Sequence, residues 1–376
     1  GVFKYSGFFM ENVNAVFGLE VEVKKLPLPI GISFYTFQSI SYLVDIYRRV
    51  CPPQKSLIKM GLFISFFPQL IAGPILKYYD IAAQIDNRKV SLPLFNQGAV
   101  RFLQGLAKKI IIANIMAKTA DEIFALGIND ISTPMAWIGI VAYTFQIYFD
   151  FSGYSDMAIG LGKMFGFHIN ENFNYPYIAT SIKDFWRRWH ISLSTWFKEY
   201  LYIPLGGNRE GKFKTYRNLM IVFFMTGLWH GASWNFVVWG LFHGVFLVLE
   251  RMLPIEKFLR FRLIQNIYAL LVVMVGWVFF RAENLTAALD YLKRMFVPYK
   301  TDVYSAYLSN EFMMVAALGL VSCGFLTLIF DKLPVKTEYK FGFLRLVNPA
   351  WCAVIAYFSV LLLASNTYNP FIYFRF

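Results

Sequence analysis

The chain has 376 residues, of which 57% are hydrophobic, 19% aromatic and only 16% charged. This composition argues against a soluble globular protein and predicts a polytopic helical membrane protein, because the apolar runs are long and continuous rather than alternating. The net charge of +13 is better explained by basic cytoplasmic loops near anionic lipid than by nucleic acid, for which no motif is present, so we expect a lipid bilayer as partner and no nucleic acid.

The first part of the chain predicts three apolar segments, over residues 27–47, 57–79 and 94–118. The second is interrupted at Pro68 and again at Pro74. We therefore expect a broken or re-entrant segment that lines a cavity, with an ordinary proline kink as the alternative. The third carries basic side chains among isoleucines, which predicts a tilted helix whose Lys and Arg side chains snorkel to the bilayer surface.

Residues 134–151 predict a clearer span, followed closely by a polar stretch that includes Asp150 and Asp156. Two interpretations of these aspartates are open. In the first, they line the path of the acyl group or of the acceptor. In the second, they have a structural role, as helix caps or as partners of Arg187 or Arg188. We favour the structural interpretation, because aspartates commonly cap helix starts.

Over residues 180–200, polar side chains recur at helical spacing on one face and apolar side chains recur on another. The polar face consists of Lys183, Arg187, His190 and Ser194. Tryptophan, leucine, phenylalanine and tyrosine side chains follow the same rhythm on another face. This pattern predicts one amphipathic helix that lies at the membrane interface or re-enters the bilayer, with His190 on its polar face beside Arg187.

A turn-rich basic loop follows at residues 206–217, and we assign it to the cytoplasmic side. From residue 219 to 249 the chain has no charged residue. His230 lies thirteen residues past Arg217, which places it roughly 20 Å along a helix and near the middle of the bilayer core. A titratable side chain at that depth indicates a functional residue. Trp229 gives it an aromatic wall, and nearby glycines favour a local break.

The remaining apolar segments predict four further spans, at residues 233–249, 264–280, 311–330 and 348–365. A short amphipathic surface helix is expected at residues 283–297. Altogether the chain predicts about nine crossings or re-entrant pieces. Since neither a flexible linker nor an internal repeat is visible, residues 1–376 are expected to form a single membrane-embedded domain.

The sequence around two of the histidines reads WRRWHISLSTWFKEYLYIPLGGNR and GLWHGASWNFVVWGLFHG. These strings closely resemble the bacterial branch of the membrane-bound O-acyltransferases, especially the membrane subunits that O-acetylate alginate and peptidoglycan. The resemblance extends to GISFYTFQSISYLVDIYR, FFPQLIAGPI, YFDFSGYSDMAIGLGKMFGF, ENFNYPYI and the tail FIYFRF. It implies an all-α polytopic bundle with re-entrant or broken helices around a central cavity. Proteins of this kind have additional transmembrane helices before this point, so we expect N-terminal helices to be lacking here.

The resemblance also implies that two histidines carry the chemistry, and they correspond to His190 and His230. Acyl transfer from a thioester to a hydroxyl needs a base for the hydroxyl proton and stabilisation of the carbonyl oxyanion. We expect His230 to act as the base, because imidazole titrates near neutral pH. His190 is expected to hydrogen-bond the carbonyl or to position the acceptor. His243 is expected to be structural, and His168 to have no catalytic role.

The expected donor is acetyl-CoA or another acyl thioester, because the basic loop suits a molecule that carries phosphates. We expect no permanently bound cofactor and no metal, since the three cysteines lack the spacing of a zinc site. The candidate donor-binding or tunnel-lining residues are Arg187, Arg188, Ser194, Trp229, Asp150 and Asp156.

The resemblance predicts an enzyme of the bacterial inner membrane that moves an acetyl group from a cytoplasmic thioester to an extracytoplasmic polysaccharide, or to a partner transferase of the SGNH type. One alternative is the D-alanyl transferase of teichoic acids, which takes its acyl group from a carrier-protein thioester. Two others are a transporter and a non-enzymatic scaffold for a soluble transferase. A transporter is expected to show inverted repeats, which are not visible here.

Overall fold

The fold was analysed in a computed structural model. It describes residues 1–23, 27, 29, 31–253, 258–300, 304–325 and 349–365. This part of the chain is helical and contains no strand, which agrees with the all-α prediction. The tail FIYFRF and the end of the span predicted at 311–330 lie outside the described residues.

The described helices, numbered in chain order, are α1 (Val2–Phe17), α2 (Ile32–Tyr47), α3 (Leu57–Ile64), α4 (Tyr78–Asn87), α5 (Leu92–Ala107), α6 (Asn114–Phe124), α7 (Thr133–Met164), α8 (Ile182–Arg188), α9 (Ile191–Phe197), α10 (Lys212–His230), α11 (Trp234–Met252), α12 (Arg262–Arg281), α13 (Leu285–Phe296), α14 (Asn310–Ser322) and α15 (Pro349–Ser365). Two π-helical segments, Lys108–Ala113 and Lys198–Tyr202, continue α5 and α9. The short 3₁₀ segments are Pro176–Ile178 and Tyr304–Tyr307.

Several segments predicted to be helical are helices in the structure, with small shifts of their ends. The spans predicted at 27–47, 233–249, 264–280 and 348–365 correspond to α2, α11, α12 and α15, and the surface helix at 283–297 corresponds to α13. Among the described helices, α11 and α12 are long and apolar enough to cross a membrane by length and composition. Helix α1 was not predicted.

The break predicted around Pro68 is confirmed, because α3 ends at Ile64 and α4 begins only at Tyr78. The irregular backbone between them is buried in the protein. For example, the amide of Gln69 donates to the Phe63 carbonyl oxygen at 3.3 Å. Backbone that leaves a helix within a membrane protein needs such internal partners, because lipid offers none.

The longest helix, α7, is largely buried and packs against α5 through small residues. Gly98 and Gly105 of α5 face Gly160 and Gly153 of α7, and the glycines are seven residues apart on each helix. A Cβ added to Gly105 would meet the carbonyl oxygen of Gly153, so no larger residue fits without movement. The two backbones therefore touch, as is common where membrane helices cross.

Ion pairs also join α7 to α5 and to the π-helical segment that continues α5. Lys109 Nζ lies 2.6 Å from Asp150, and Asp156 lies 2.6 Å from both Lys108 and Arg101. The expected snorkelling of these basic side chains is therefore wrong, because they turn inward to the aspartates of α7. The helix-cap interpretation is also wrong, since Asp150 and Asp156 lie inside α7 rather than at its start.

Candidate active site

The predicted amphipathic helix over 180–200 is broken at His190. Helix α8 ends at Arg188, and His190 adopts the left-handed conformation with φ 42° before α9 begins. That conformation costs a non-glycine residue roughly 1–2 kcal/mol. The loop at 172–174 offsets the cost, because its backbone pairs with groups freed by the break: Ile191 N donates to the Asn172 carbonyl, and Asn174 N donates to the Arg188 carbonyl, both at 2.9 Å.

The break turns His190 into the protein, where only 1% of it is exposed, so its expected place on a polar face is wrong. Its Nδ1 lies 3.2 Å from Asn172 Oδ1 and 3.5 Å from Ser192 Oγ. The Phe151 ring meets the imidazole edge-to-face at 4.7 Å. Nε2 is buried and has no hydrogen-bond partner among the described residues.

His230 is the last residue of α10, and α11 begins four residues later. The uncharged run is thus two antiparallel helices, and the break expected from the glycines is confirmed. Gly227 makes the close approach possible, because a Cβ there would meet the Phe236 carbonyl oxygen. His230 lies at the tip of this hairpin, 8% exposed, with the rings of Trp239 at 4.9 Å and Phe280 at 5.2 Å.

The two histidines meet at one indole. The Trp229 ring centroid lies 4.9 Å from that of His230 and 6.3 Å from that of His190. On another side, Phe37 stacks on Trp229 at 5.1 Å and on Trp196 at 3.9 Å. The structure therefore brings together the two histidines that the sequence pointed to, in aromatic surroundings where hydrogen bonds and charges act strongly.

Helix α1 supports the tip of the hairpin, a contribution that sequence reasoning missed. Lys4 Nζ donates to the carbonyl oxygens of Trp229 and His230, the latter at 3.2 Å. The Tyr5 hydroxyl donates to the Leu228 carbonyl oxygen at 3.0 Å. These are the last carbonyls of α10, which have no partner within the helix, so α1 caps the end that carries His230.

A cavity of about 350 Å³ lies between α8, α9 and the hairpin. Basic side chains line it at Lys183, Arg187 and Lys198, and hydroxyl-bearing residues line it at Ser194, Thr195 and Thr226. The rest of the lining is mainly apolar and aromatic. The cavity therefore offers positive charge, three hydroxyl-bearing residues and apolar surface in one place.

The lining of this cavity includes residues near both histidines in the chain. Thr226 lines it, and His230 follows four residues later on the same helix face, about 6 Å along the axis. Ile191, which directly follows His190, also lines it. Two residues of the cavity lining thus adjoin the two histidines along the chain.

The other predicted site residues separate into groups. Arg187 and Ser194 line the cavity. Arg188 instead donates to Asp184 at 2.9 Å and to the Asn174 carbonyl oxygen at 3.2 Å. Arg187 also pairs with Asp184.

The pairing of the α7 aspartates with these two arginines is therefore wrong. Lys109 pairs with Asp150, while Arg101 and Lys108 pair with Asp156. A role for the two aspartates along the acyl path stays a prediction.

Known proteins resemble this chain over much of its length. The model of the membrane-bound O-acyltransferase family matches residues 52–286, which include both histidines. The chain is 43% identical to the probable alginate O-acetylase AlgI of Pseudomonas putida, over 100% of this chain and 81% of that protein. It is 42% identical to the peptidoglycan O-acetyltransferase of Helicobacter pylori, over 78% and 62%.

A teichoic acid D-alanyltransferase of Streptococcus thermophilus is 30% identical to the chain, over 59% of this chain and 56% of that protein. The chain thus spans 62% of the length of the Helicobacter protein and 56% of the length of the Streptococcus protein. Identity to the proteins named for O-acetylation is higher and covers more of the chain.

Proposed function

We propose, from the premise that this chain belongs to the membrane-bound O-acyltransferase family, that it moves an acetyl group from a cytoplasmic thioester to an extracytoplasmic polysaccharide. The immediate acceptor is the polysaccharide itself or a partner transferase of the SGNH type. The enzyme works in the bacterial inner membrane as a multi-pass protein. The names of the relatives support O-acetylation over D-alanylation, because identity is 43% and 42% for the former and 30% for the latter.

The observation that carries this proposal is the pair of imidazoles around Trp229. In the proposed reaction His230 takes the proton of the acceptor hydroxyl while the oxygen of that hydroxyl attacks the thioester carbonyl carbon. The carbon–sulfur bond then breaks, and the thiolate takes up the proton from the imidazolium. No covalent enzyme intermediate is needed, and the aromatic surroundings exclude water that would hydrolyse the thioester.

The cavity supplies the path of the donor. A thioester such as acetyl-CoA carries phosphates, which Lys183, Arg187 and Lys198 attract at its mouth. Its extended arm then lies against the apolar lining, with its acetyl group toward His230. Replacing Arg187 with Gln is expected to raise the KM for acetyl-CoA, more strongly at low than at high ionic strength, because salt screens exposed charges. The KM for the acceptor should not change.

The test uses purified protein in liposomes, labelled acetyl-CoA and an alginate oligosaccharide, with and without the partner transferase. His230→Ala is expected to lower acetyl transfer by about 10²–10⁴-fold, the range for loss of a general base. The double change with His190→Ala should lose less than the product of the single losses, because both rings serve one transition state. His168→Ala is the control, since His168 is exposed and distant in sequence from both.

Near-normal turnover by folded His230→Ala protein would overturn the catalytic assignment and favour a scaffold that only recruits a soluble transferase. Transfer of D-alanine from a carrier-protein thioester, with acetyl-CoA inert, would replace acetylation with D-alanylation.

A further inference from the structure

The buried Asn172 makes the shortest polar contact of His190, at 3.2 Å, yet it lies 18 residues earlier in the chain. It is fully buried, with 0% of its surface exposed. A buried amide in direct contact with a histidine of the site decides which ring nitrogen carries the proton, and hence what the imidazole can bind.

The orientation of the Asn172 amide follows from its neighbours. The backbone N–H of Ser192 can only donate, and it points at the side-chain atom of Asn172 from 3.1 Å, so that atom is the oxygen. On its other side the amide nitrogen donates to Ser155 Oγ at 3.3 Å. The oxygen therefore faces His190.

The proton of His190 follows from that orientation. Asn172 Oδ1 can only accept, so the hydrogen in its 3.2 Å contact with His190 belongs to Nδ1. Among the described residues, the competing donor to Nδ1 is the Ser192 hydroxyl. That hydroxyl accepts from Ile75 N at 3.0 Å and lies 2.9 Å from Asn172 Oδ1 but 3.5 Å from Nδ1, so it donates to Asn172.

We infer that Asn172 is a positioning residue that holds neutral His190 with its proton on Nδ1 and a lone pair on Nε2. The buried Nε2 then accepts a hydrogen bond and cannot donate one. This inference rests on the proposed function and distinguishes the two roles expected for His190. A thioester carbonyl oxygen needs a donor, whereas an acceptor hydroxyl is itself a donor. His190 therefore positions the hydroxyl-bearing acceptor rather than the carbonyl.

The first test reads the proton directly and needs no activity. The chain has four histidines, so ¹⁵N-histidine labelling in liposomes gives few imidazole signals. The spectrum of His190→Gln protein identifies those of His190. We expect a protonated Nδ1 and an unprotonated Nε2 in the wild type, and movement of the proton to Nε2 in Asn172→Leu protein. A wild-type proton on Nε2, or an unchanged tautomer in Asn172→Leu, would overturn the inference whether or not the protein transfers acetyl groups.

The second test separates positioning from stability by kinetics with acetyl-CoA and an alginate oligosaccharide. Asn172→Leu is expected to lower kcat/KM for the oligosaccharide by about 10–100-fold, the loss known for residues that orient a metal-ligating histidine through its other ring nitrogen, with the KM for acetyl-CoA unchanged. Asn172→Asp keeps an acceptor at Nδ1 and should recover most of this loss. Because a carboxylate stabilises the imidazolium, the acid side of its pH profile should move to higher pH.

The matched control is Asn266→Leu. Asn266 is also buried, and its amide donates to the Tyr177 and Ala179 carbonyl oxygens at 2.8 and 2.9 Å rather than contacting His190. The Asn266→Leu change should lower thermal stability without a selective loss of kcat/KM for the oligosaccharide. Equal selective loss in both leucine variants, or no recovery in Asn172→Asp, would show that Asn172 only stabilises the fold.

Discussion

The buried pair of Lys109 and Asp150 gives a quantitative test of the structural interpretation of the α7 aspartates. Their side chains are only 9% and 2% exposed, and the charged atoms lie 2.6 Å apart. Removing one partner leaves the other charge buried and uncompensated, which costs about 3–5 kcal/mol. We therefore expect Asp150→Asn alone to lower the free energy of unfolding by about that amount.

Replacing both partners by apolar residues of similar size removes both charges at once. Such exchanges are often neutral or stabilising by about 1–4 kcal/mol. The double variant Lys109→Met/Asp150→Leu should therefore recover most of the loss of either single change. Denaturant unfolding in mixed micelles measures Asp150→Asn, the double variant and a control. Asp86→Asn is the control, because the Lys59–Asp86 pair is 39% and 49% exposed and contributes little.

Acetyl transfer by the double variant then distinguishes the two interpretations of Asp150. If Asp150 only pairs with Lys109, the refolded double variant keeps activity within a few-fold of wild type. A double variant that is as unstable as the single change would refute the ion-pair reasoning. A stable double variant that loses about 10²-fold in transfer would place Asp150 on the acyl path instead.

Three further predictions follow from the hairpin and its surroundings. Lys4→Met removes the cation that caps α10. It should lower acetyl transfer about two- to five-fold, the kinetic equivalent of about 0.3–1 kcal/mol, and Lys4→Arg should retain more activity. Unchanged transfer by Lys4→Met protein in the liposome assay would contradict the capping role. Gly240→Leu should lower the thermal unfolding midpoint strongly, because a Cβ at Gly240 would meet the backbone of α10. Gly61→Ala should not, because a Cβ at Gly61 would have no atom within 4 Å. Similar unfolding midpoints for the two variants would refute the close packing. A cysteine at Asn208, in an otherwise cysteine-free protein, should react with an impermeant thiol reagent only after the membrane is permeabilised, and labelling of intact cells from outside would reverse the orientation.

The sequence predicts most of the helices and the pair of histidines for separate physical reasons. Long uncharged runs can only be helices in a bilayer, so α11 and α12 follow from composition. Gly227 predicts the break before α11 because glycine allows two backbones to meet. The two histidines follow from the strings that resemble the family, and the family match confirms that resemblance.

The break at His190 could not be predicted, because the helical spacing of polar and aromatic residues continues through it. Its cause lies outside the segment, in the loop of Asn172 and Asn174 that pairs with the freed backbone. Local periodicity cannot show a partner that lies at least fourteen residues away in the chain. The same holds for Lys4, whose contact with α10 spans more than two hundred residues.

The position of the site follows from where the helices stop. Three interruptions meet there: the irregular segment before α4, the left-handed turn at His190 and the tip of the hairpin at His230. Ser192 links the first two, since its hydroxyl accepts from Ile75 N. Regular helices satisfy their own backbone groups and have none left for a ligand. Where helices break inside a membrane protein, polar side chains gather to satisfy the freed backbone. Asn172 is such a side chain, because its oxygen accepts from Ser192 N and also contacts the imidazole of His190.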